Sequence, residues 1–374
     1  MVAARKQRMY ILKQYMNFNP TNMNLFCFTP ASINWKRKSI TGLQRSRGRW
    51  MLRRFSFPQV VYNRCYEFEY IKVLQRLEQV IGSNKCFNHT NQLNKYELYG
   101  HLHECLAPHL PETILYHPEA ALQLLGKYNV IYFKPVHGHH GKGVFRAERK
   151  DSGEIHISHH HFSPDTIVYD YSQYLERIQG LVGTTPYVVQ QGIQMLQVHE
   201  QTFDFRALVQ KNGAGEWSVT NVVSRIAHKG CFNTSISEKV CLSEESLLQL
   251  HSPEQVQAIL NTIQNLSIKA VHELETRSGV HLGELSVDFA LDTNGLIWII
   301  ELNGKPQKDL YDGIQNRTDV FKRPLQYASY LSTKRAKSNL STRRTKSCLI
   351  KKRTKSCLNT RRTQRYLSIR LNKR

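Results

Sequence analysis

Residues 283–306 read GELSVDFALDTNGLIWIIELNGKP, and their alternation decides the fold of the surrounding chain. Asn294-Gly295 between two alternating apolar runs is the strongest short-range signal for a β-hairpin. With that pair as a two-residue turn, Thr293 faces Leu296 and Asp288 lies opposite Glu301. Asn303, two residues beyond Glu301, shares their face. Val287, Phe289, Leu291, Trp298, Ile300 and Leu302 form the other face, which is apolar throughout and reads as core. Two facing carboxylates repel unless a cation intervenes, and one of them then has a raised pKa. Either Asp288, Glu301 and Asn303, all oxygen donors, hold a hard cation such as Mg²⁺, or an Arg or Lys pairs with one carboxylate and no metal is present.

Two further stretches point to anionic ligands. In VIYFKPVHGHHGKGV (130–144) a strand delivers Lys134, and Gly138, Gly141 and Gly143 follow within six residues. Glycines let backbone N–H groups approach a phosphate, and the lysine adds a point charge; a plain glycine-rich turn reads equally well. In FDFRALVQ (203–210) Phe203, Phe205, Ala207 and Val209 face one way, and Asp204, Arg206 and Leu208 the other. Arg206, and Arg225 near the end of the partner strand, suit a phosphate or carboxylate. The bland reading is an Asp204–Arg206 pair along one strand. His137, His139, His140 and His159–His161 lack a second ligand set and read as polar loop residues.

The remaining pattern mixes helices with antiparallel hairpins. Residues 24–57 read as a small β unit and PQVVYN (58–63) as a short buried strand. Helices are expected over about 67–81, 92–106, 118–126 and 253–277, stopped by Gly82, Pro108, Gly126 and Gly279. Strands are expected at 110–117, 130–135 and 187–193, with hairpins over 143–158 around Asp151–Gly153 and over 203–226 around Asn212-Gly213. That mixture is α+β rather than a doubly wound sheet.

Taken together, FPQVVYNR (57–64), FNHTNQLNKYELYGHL (87–102), YFKPVHGHHGKGV (132–144), YVVQQGI (187–193), FDFRALVQ (203–210) and VDFALDTNGLIWIIELNGKP (287–306) resemble the YheC/YheD family of endospore coat-associated proteins, within the ATP-grasp superfamily. The resemblance covers about residues 24–330. It implies two α+β lobes clasping ATP (118–331), preceded by a small pre-ATP-grasp α/β domain (57–117) and a β-rich segment (1–56). It further implies that Lys134 binds the nucleotide phosphates and that Gly138, Gly141 and Gly143 belong to the loop closing over them. Gln190, Gln191 and Ile193 then read adenine at the hinge between the lobes, and Lys95 is a further phosphate contact. Asp288, Glu301 and Asn303 become the magnesium ligands, and Arg206 and Arg225 stabilise the transferring phosphoryl group. The implied chemistry joins an unidentified carboxylate to an amine through an acyl phosphate, with ATP and Mg²⁺. The alternative is a non-catalytic ATP-grasp scaffold of the spore coat. One departure falls in GCFNTSISEKV (230–240), where Glu238-Lys239 stands in place of an expected glycine pair and puts the substrate-side loop in question.

Charge sorts the chain into three parts. The whole carries 52 basic and 29 acidic residues over 374 positions, +23. Residues 1–66 hold 13 Lys/Arg and no acid, and 334–374 hold 16 and no acid. The body between is therefore mildly acidic, 23 bases against 29 acids. From Ser332 the chain repeats in nines, STKRAKSNL, STRRTKSCL, IKKRTKSCL, NTRRTQRYL. One Leu per unit builds no core, so this tail (332–374) is expected to be disordered and to contact polyanions or nothing. Eight scattered Cys without a CxxC pair argue against a disulfide scaffold or a zinc ribbon. No stretch approaches the roughly 18 apolar residues of a membrane span. A cytoplasmic protein, associated through its family with the spore coat, is expected.

Overall fold

The computed structural model describes residues 1–19, 23–138 and 141–334. His139, His140 and the nonapeptide repeats from residue 335 lie outside the described residues. Met1–Lys334 form one compact unit.

Two antiparallel six-stranded sheets carry the architecture. The first runs Thr166–Val168, Ile155–Ser158, Phe145–Arg149, Val130–Pro135, Tyr187–Gln191, Thr113–Leu115. Helices Pro118–Tyr128 and Tyr171–Val182 bury Leu124, Leu125, Tyr174 and Ile178 against Phe133, Phe145 and Val189. The first of these helices runs past Gly126 and ends at Asn129, whose φ of 59° supplies the left-handed stop expected of the glycine.

The second sheet runs Ser237–Leu242, Trp217–Ala227, Gln201–Lys211, Glu284–Leu291, Ile297–Asn303, with Gln197–Val198 beside Gln201–Lys211. One face packs on helices Lys95–Leu106 and Pro253–Ser278 through Leu98, Leu102, Ile263 and Val271. Their starts are set by caps. Asn94 accepts from the N–H groups of Tyr96 and Glu97, and Ser252 forms a capping box with Gln255. The other face meets helices Gln7–Met16 and Arg317–Thr333, which put Tyr15, Val320 and Phe321 against Leu208 and Val223. Neither helix is anticipated by the sequence pattern; the second carries Pro324 in its interior.

Ahead of these sheets stand a parallel pair, Val61–Tyr62 with Cys86–Phe87, connected through helix Tyr70–Ile81, and an antiparallel sheet of Ile33–Asn34, Ser39–Ser46 and Arg49–Ser56. The six described cysteines are free. Among the described residues no helix is long and apolar enough to cross a membrane.

Three hairpin turns share one design. At 150–154, 212–216 and 292–296 a three-residue loop ends in a glycine at positive φ (Gly153 92°, Gly215 82°, Gly295 84°). Asn212 and Asp292 tie theirs with the side chain, each accepting from the backbone N–H groups two and four residues on. The Asn294-Gly295 turn is thus one residue longer than the two-residue turn expected.

Candidate functional site

The longer turn shifts the 284–303 hairpin by one, pairing Leu291 with Ile297 and Phe289 with Ile299. A bulge at Ile300 then shifts it back, and Asp288 does face Glu301. The two displacements cancel at the carboxylates but not between them. Ile297 and Ile299 enter the core, while Trp298 and Ile300, expected there, leave it. The Trp298 indole donates to Asp292 (2.9 Å), and Ile300 lines the cleft between the two large sheets.

That cleft spans about 930 Å³, including space open to solvent. It brings together Lys95, Lys134, Gly138, Gly141, Gln190, Gln191, Ile193, Arg225, Asp288 and Glu301 from the sequence expectation. Gly143 is outside the lining: its carbonyl accepts from Tyr187 (2.9 Å), and a Cβ there would meet Tyr187 and Pro135. Arg206 and Asn303 line an adjoining cavity that spans about 1300 Å³, including space open to solvent, and shares Arg225, Ser235 and Glu301 with the cleft. Tyr132, Met195, Phe232 and Lys142, which the sequence pattern does not mark, also line the cleft. Tyr132 was accessible to strand alternation, standing two residues before Lys134. Ile300 was not, because only the bulge turns it inward.

Lys134 donates to Gln190 Oε1 (2.5 Å), and Gln190 Nε2 donates to Thr113 (3.0 Å). Gln190 therefore positions the lysine, and its amide keeps one further lone pair and one further N–H. Gln191 is similarly engaged, accepting from the Glu112 N–H. At Ile193 neither the N–H nor the carbonyl has a backbone partner among the described residues, which leaves a donor and an acceptor at the hinge. Burial pushes the Lys134 ammonium down to about 8; Lys95 adds to the fall, and Glu301 and Asp288 oppose it.

Both facing carboxylates have cationic partners. Arg206 holds Asp288 bidentately (2.7 Å twice), Arg225 reaches Asp288 Oδ2 at 3.0 Å, and Asn303 Nδ2 at 3.4 Å. Lys95 lies 3.1 Å from Glu301. At Asp288 the expected rise is reversed. Burial raises the Asp288 carboxyl, but Arg206 and Arg225 outweigh it and hold it below the ordinary value. The alternative Asp204–Arg206 pair gives way to cross-strand pairs, because Asp204 faces Arg225 and Arg206 faces Asp288 in the register. Arg225 binds Asp204 through Nε (2.8 Å) and Nη2, and Thr234 donates to the same carboxylate (2.6 Å).

The donor set still fits a hard cation. Asp288 Oδ1 accepts one bond, Glu301 meets its lysine through Oε1, and Asn303 turns its amide nitrogen to Asp288. Each of the three thus retains an oxygen lone pair, the donor type Mg²⁺ prefers.

The doubtful loop resolves simply. Glu238 and Lys239 lie on the Ser237–Leu242 strand, with Glu238 half-exposed and bonded to Gln201 (2.7 Å). Asn233, Thr234 and Ser235 occupy the cleft instead. A Cβ at Gly141 would stand 2.5 Å from Asn233, so the glycine loop touches the loop that carries Asn233. His159–His161 do not converge on one point: His159 pairs with Asp165, Asn233 donates to His160, and His161 meets Cys231.

The YheC/D like ATP-grasp family model matches residues 83–331, two thirds of the chain, which include both lobes and every residue just placed in the cleft. The chain belongs to the YheC/D-like ATP-grasp family. It is 27% identical over 332 residues to the endospore coat-associated protein YheD of Bacillus subtilis (strain 168), covering 84% of this chain and 72% of the relative. To YheC of the same organism it is 22% identical over 323 residues, covering 83% and 88%. The fold is similar to that of the ATP-grasp ligase PsnB, solved with precursor peptide PsnA2 and AMPPNP (TM-score 0.52, 13% identity, 89% of this chain and 96% of that one). This ATP-grasp cleft lies beside the cavity that holds Arg206 and Asn303, and the two open onto one another at Arg225 and Glu301.

Proposed function

We propose that the chain binds ATP with Mg²⁺ in this cleft and ligates a carboxylate to an amine through an acyl phosphate. The observation that carries the reading is the convergence of Lys134, Lys95 and Arg225 with Asp288 and Glu301 in one cleft, where Arg225 and Glu301 also line the adjoining cavity. Tyr132, Ile193, Met195 and Ile300 would hold the base in an apolar slot, with the free backbone groups of Ile193 at its edge. Lys134, kept in place by Gln190, would neutralise the phosphates; Gly138 and Gly141 would let backbone N–H groups close over them. Asp288, Glu301 and Asn303 would hold Mg²⁺, which when bound neutralises phosphate charge. Arg206 and Arg225, aimed by Asp288 and Asp204, would stabilise the oxygens of the group in transfer to a carboxylate in the adjoining cavity. That PsnB is an ATP-grasp ligase and that the relatives are coat-associated supports assigning ligation and a spore-coat setting here.

The test is ADP release from the purified protein with Mg-ATP across amino acids and cell-wall peptides. At least one carboxylate–amine pair is expected to raise release well above the substrate-free rate. Uniform background with every pair, in a protein that binds Mg-ATP, would favour a scaffold role instead.

A further inference from the structure

The basic N-terminal part lends Tyr10, Ile11, Gln14 and Arg64 to the cavity beside the cleft, but its other cations line neither. Its 66 residues include 13 cations and no acid, and Arg64 alone of the 13 pairs with a carboxylate among the described residues, Glu284 at 2.9 Å. The others gather on helix Gln7–Met16 and its lead-in and on the three-stranded sheet. In that sheet strand Arg49–Ser56 lies at the end of the order and pairs on one side only, with Ser39–Ser46. Six of its eight residues are exposed. They include Arg49, Arg53 and Arg54 together with Met51 (40% exposed) and Leu52 (58%). Beside Leu52 a surface hollow is lined by Arg5, Arg8, Trp35 and Thr41, and Thr41 faces Arg54 across the strands.

A free strand edge of eight residues invites pairing. Arginines along it disfavour pairing with a second copy, which would crowd like charges along one seam. They favour a strand bearing carboxylates, and Leu52 offers that strand an apolar anchor. We propose that the Arg49–Ser56 edge is a docking site for an acidic, extended polypeptide segment, which adds to the sheet as a fourth strand. Backbone hydrogen bonds would supply the pairing and the arginines the choice of partner. A nucleic acid would use the charge but neither the edge nor Leu52.

The test uses the full chain and the acetylated, amidated octapeptide of alternating Glu and Val. Fluorescence anisotropy of the labelled peptide should show saturable binding that salt weakens. A variant with Arg49→Gln, Arg53→Gln and Arg54→Gln should bind about tenfold less tightly with its thermal midpoint unchanged, since these side chains are exposed. The same peptide with a central Val replaced by Pro, of equal charge but unable to pair, should also bind about tenfold less tightly to the wild type. Absence of binding, equal affinity for the Pro peptide, or wild-type affinity in the triple variant would each overturn the proposal. So would tighter binding of a single-stranded oligonucleotide of the same charge, which would make the face a nucleic-acid surface.

Discussion

Glu301→Gln is expected to lower any ATP turnover by about two to three orders of magnitude, because it weakens one of three oxygen donors at the point where phosphate charge must be neutralised. The fold should hardly notice. Glu301 has one cationic partner, Lys95, at 3.1 Å, and its side chain is a quarter exposed. Removing a partly solvated ion pair of that kind costs within about 1 kcal/mol, so the thermal midpoint should move by only about 2–4 °C. Asp288→Asn cannot serve as the same test. It would leave Arg206 buried without its bidentate partner, and lost activity could then reflect lost structure. A Glu301→Gln protein with wild-type turnover would remove Glu301 from the site.

Glu284→Ala should destabilise the protein by about 3–5 kcal/mol, the cost of leaving buried cations without their counter-charge. Glu284 is fully buried at the start of the 284–303 hairpin. It accepts from Arg64 (2.9 Å), Gln210 (2.7 Å) and Tyr62, and pairs with Lys308 at 2.7 Å. Burial pushes its carboxyl up, but Lys308 and Arg64 outweigh that and hold it below the ordinary value. A carboxyl so lowered contributes stability above its unfolded pKa of about 4.3 and loses it as pH falls through the lower folded value. The gap between wild type and variant in urea unfolding should therefore be full near neutrality and shrink in acid. A gap under about 1 kcal/mol at neutral pH would show that Arg64 and Lys308 find other partners.

What the sequence discloses here depends on how local the cause is. Alternation along 283–306 placed Asp288 and Glu301 on facing strands, and they do face. They face because two irregularities, a longer turn and a bulge, cancel at that pair. Between them the same reasoning put Trp298 and Ile300 in the core, where they are not. The turn signal was in fact readable: Asp292 and Asn212 each stand three residues before a glycine. Cross-strand partners of Asp204 and Arg206 required the order of three strands, which no single hairpin reveals. The Glu284 cluster draws on residues 62, 64, 210 and 308, too far apart for any local pattern. Asn88 is a similar case. Its backbone is left-handed (φ 56°), and its side chain bonds the Gly283 N–H and the Glu284 and Gly304 carbonyls, clamping the hairpin's open end. Its stretch carried the family resemblance, but its role depends on a contact nearly 200 positions away.

The most direct measurement is calorimetric titration of the full chain with Mg-AMPPNP, alongside Lys134→Ala. Saturable binding is expected, weakened about tenfold or more in the variant through loss of a charged contact. Phosphate beside Lys134 should raise its pKa from about 8, so wild-type binding near about pH 8.5 should take up protons and weaken as pH rises further. The variant should lack that uptake. Absence of binding heat and of any nucleotide-induced thermal shift, or a Lys134→Ala protein that binds as the wild type does, would contradict ATP binding in this cleft.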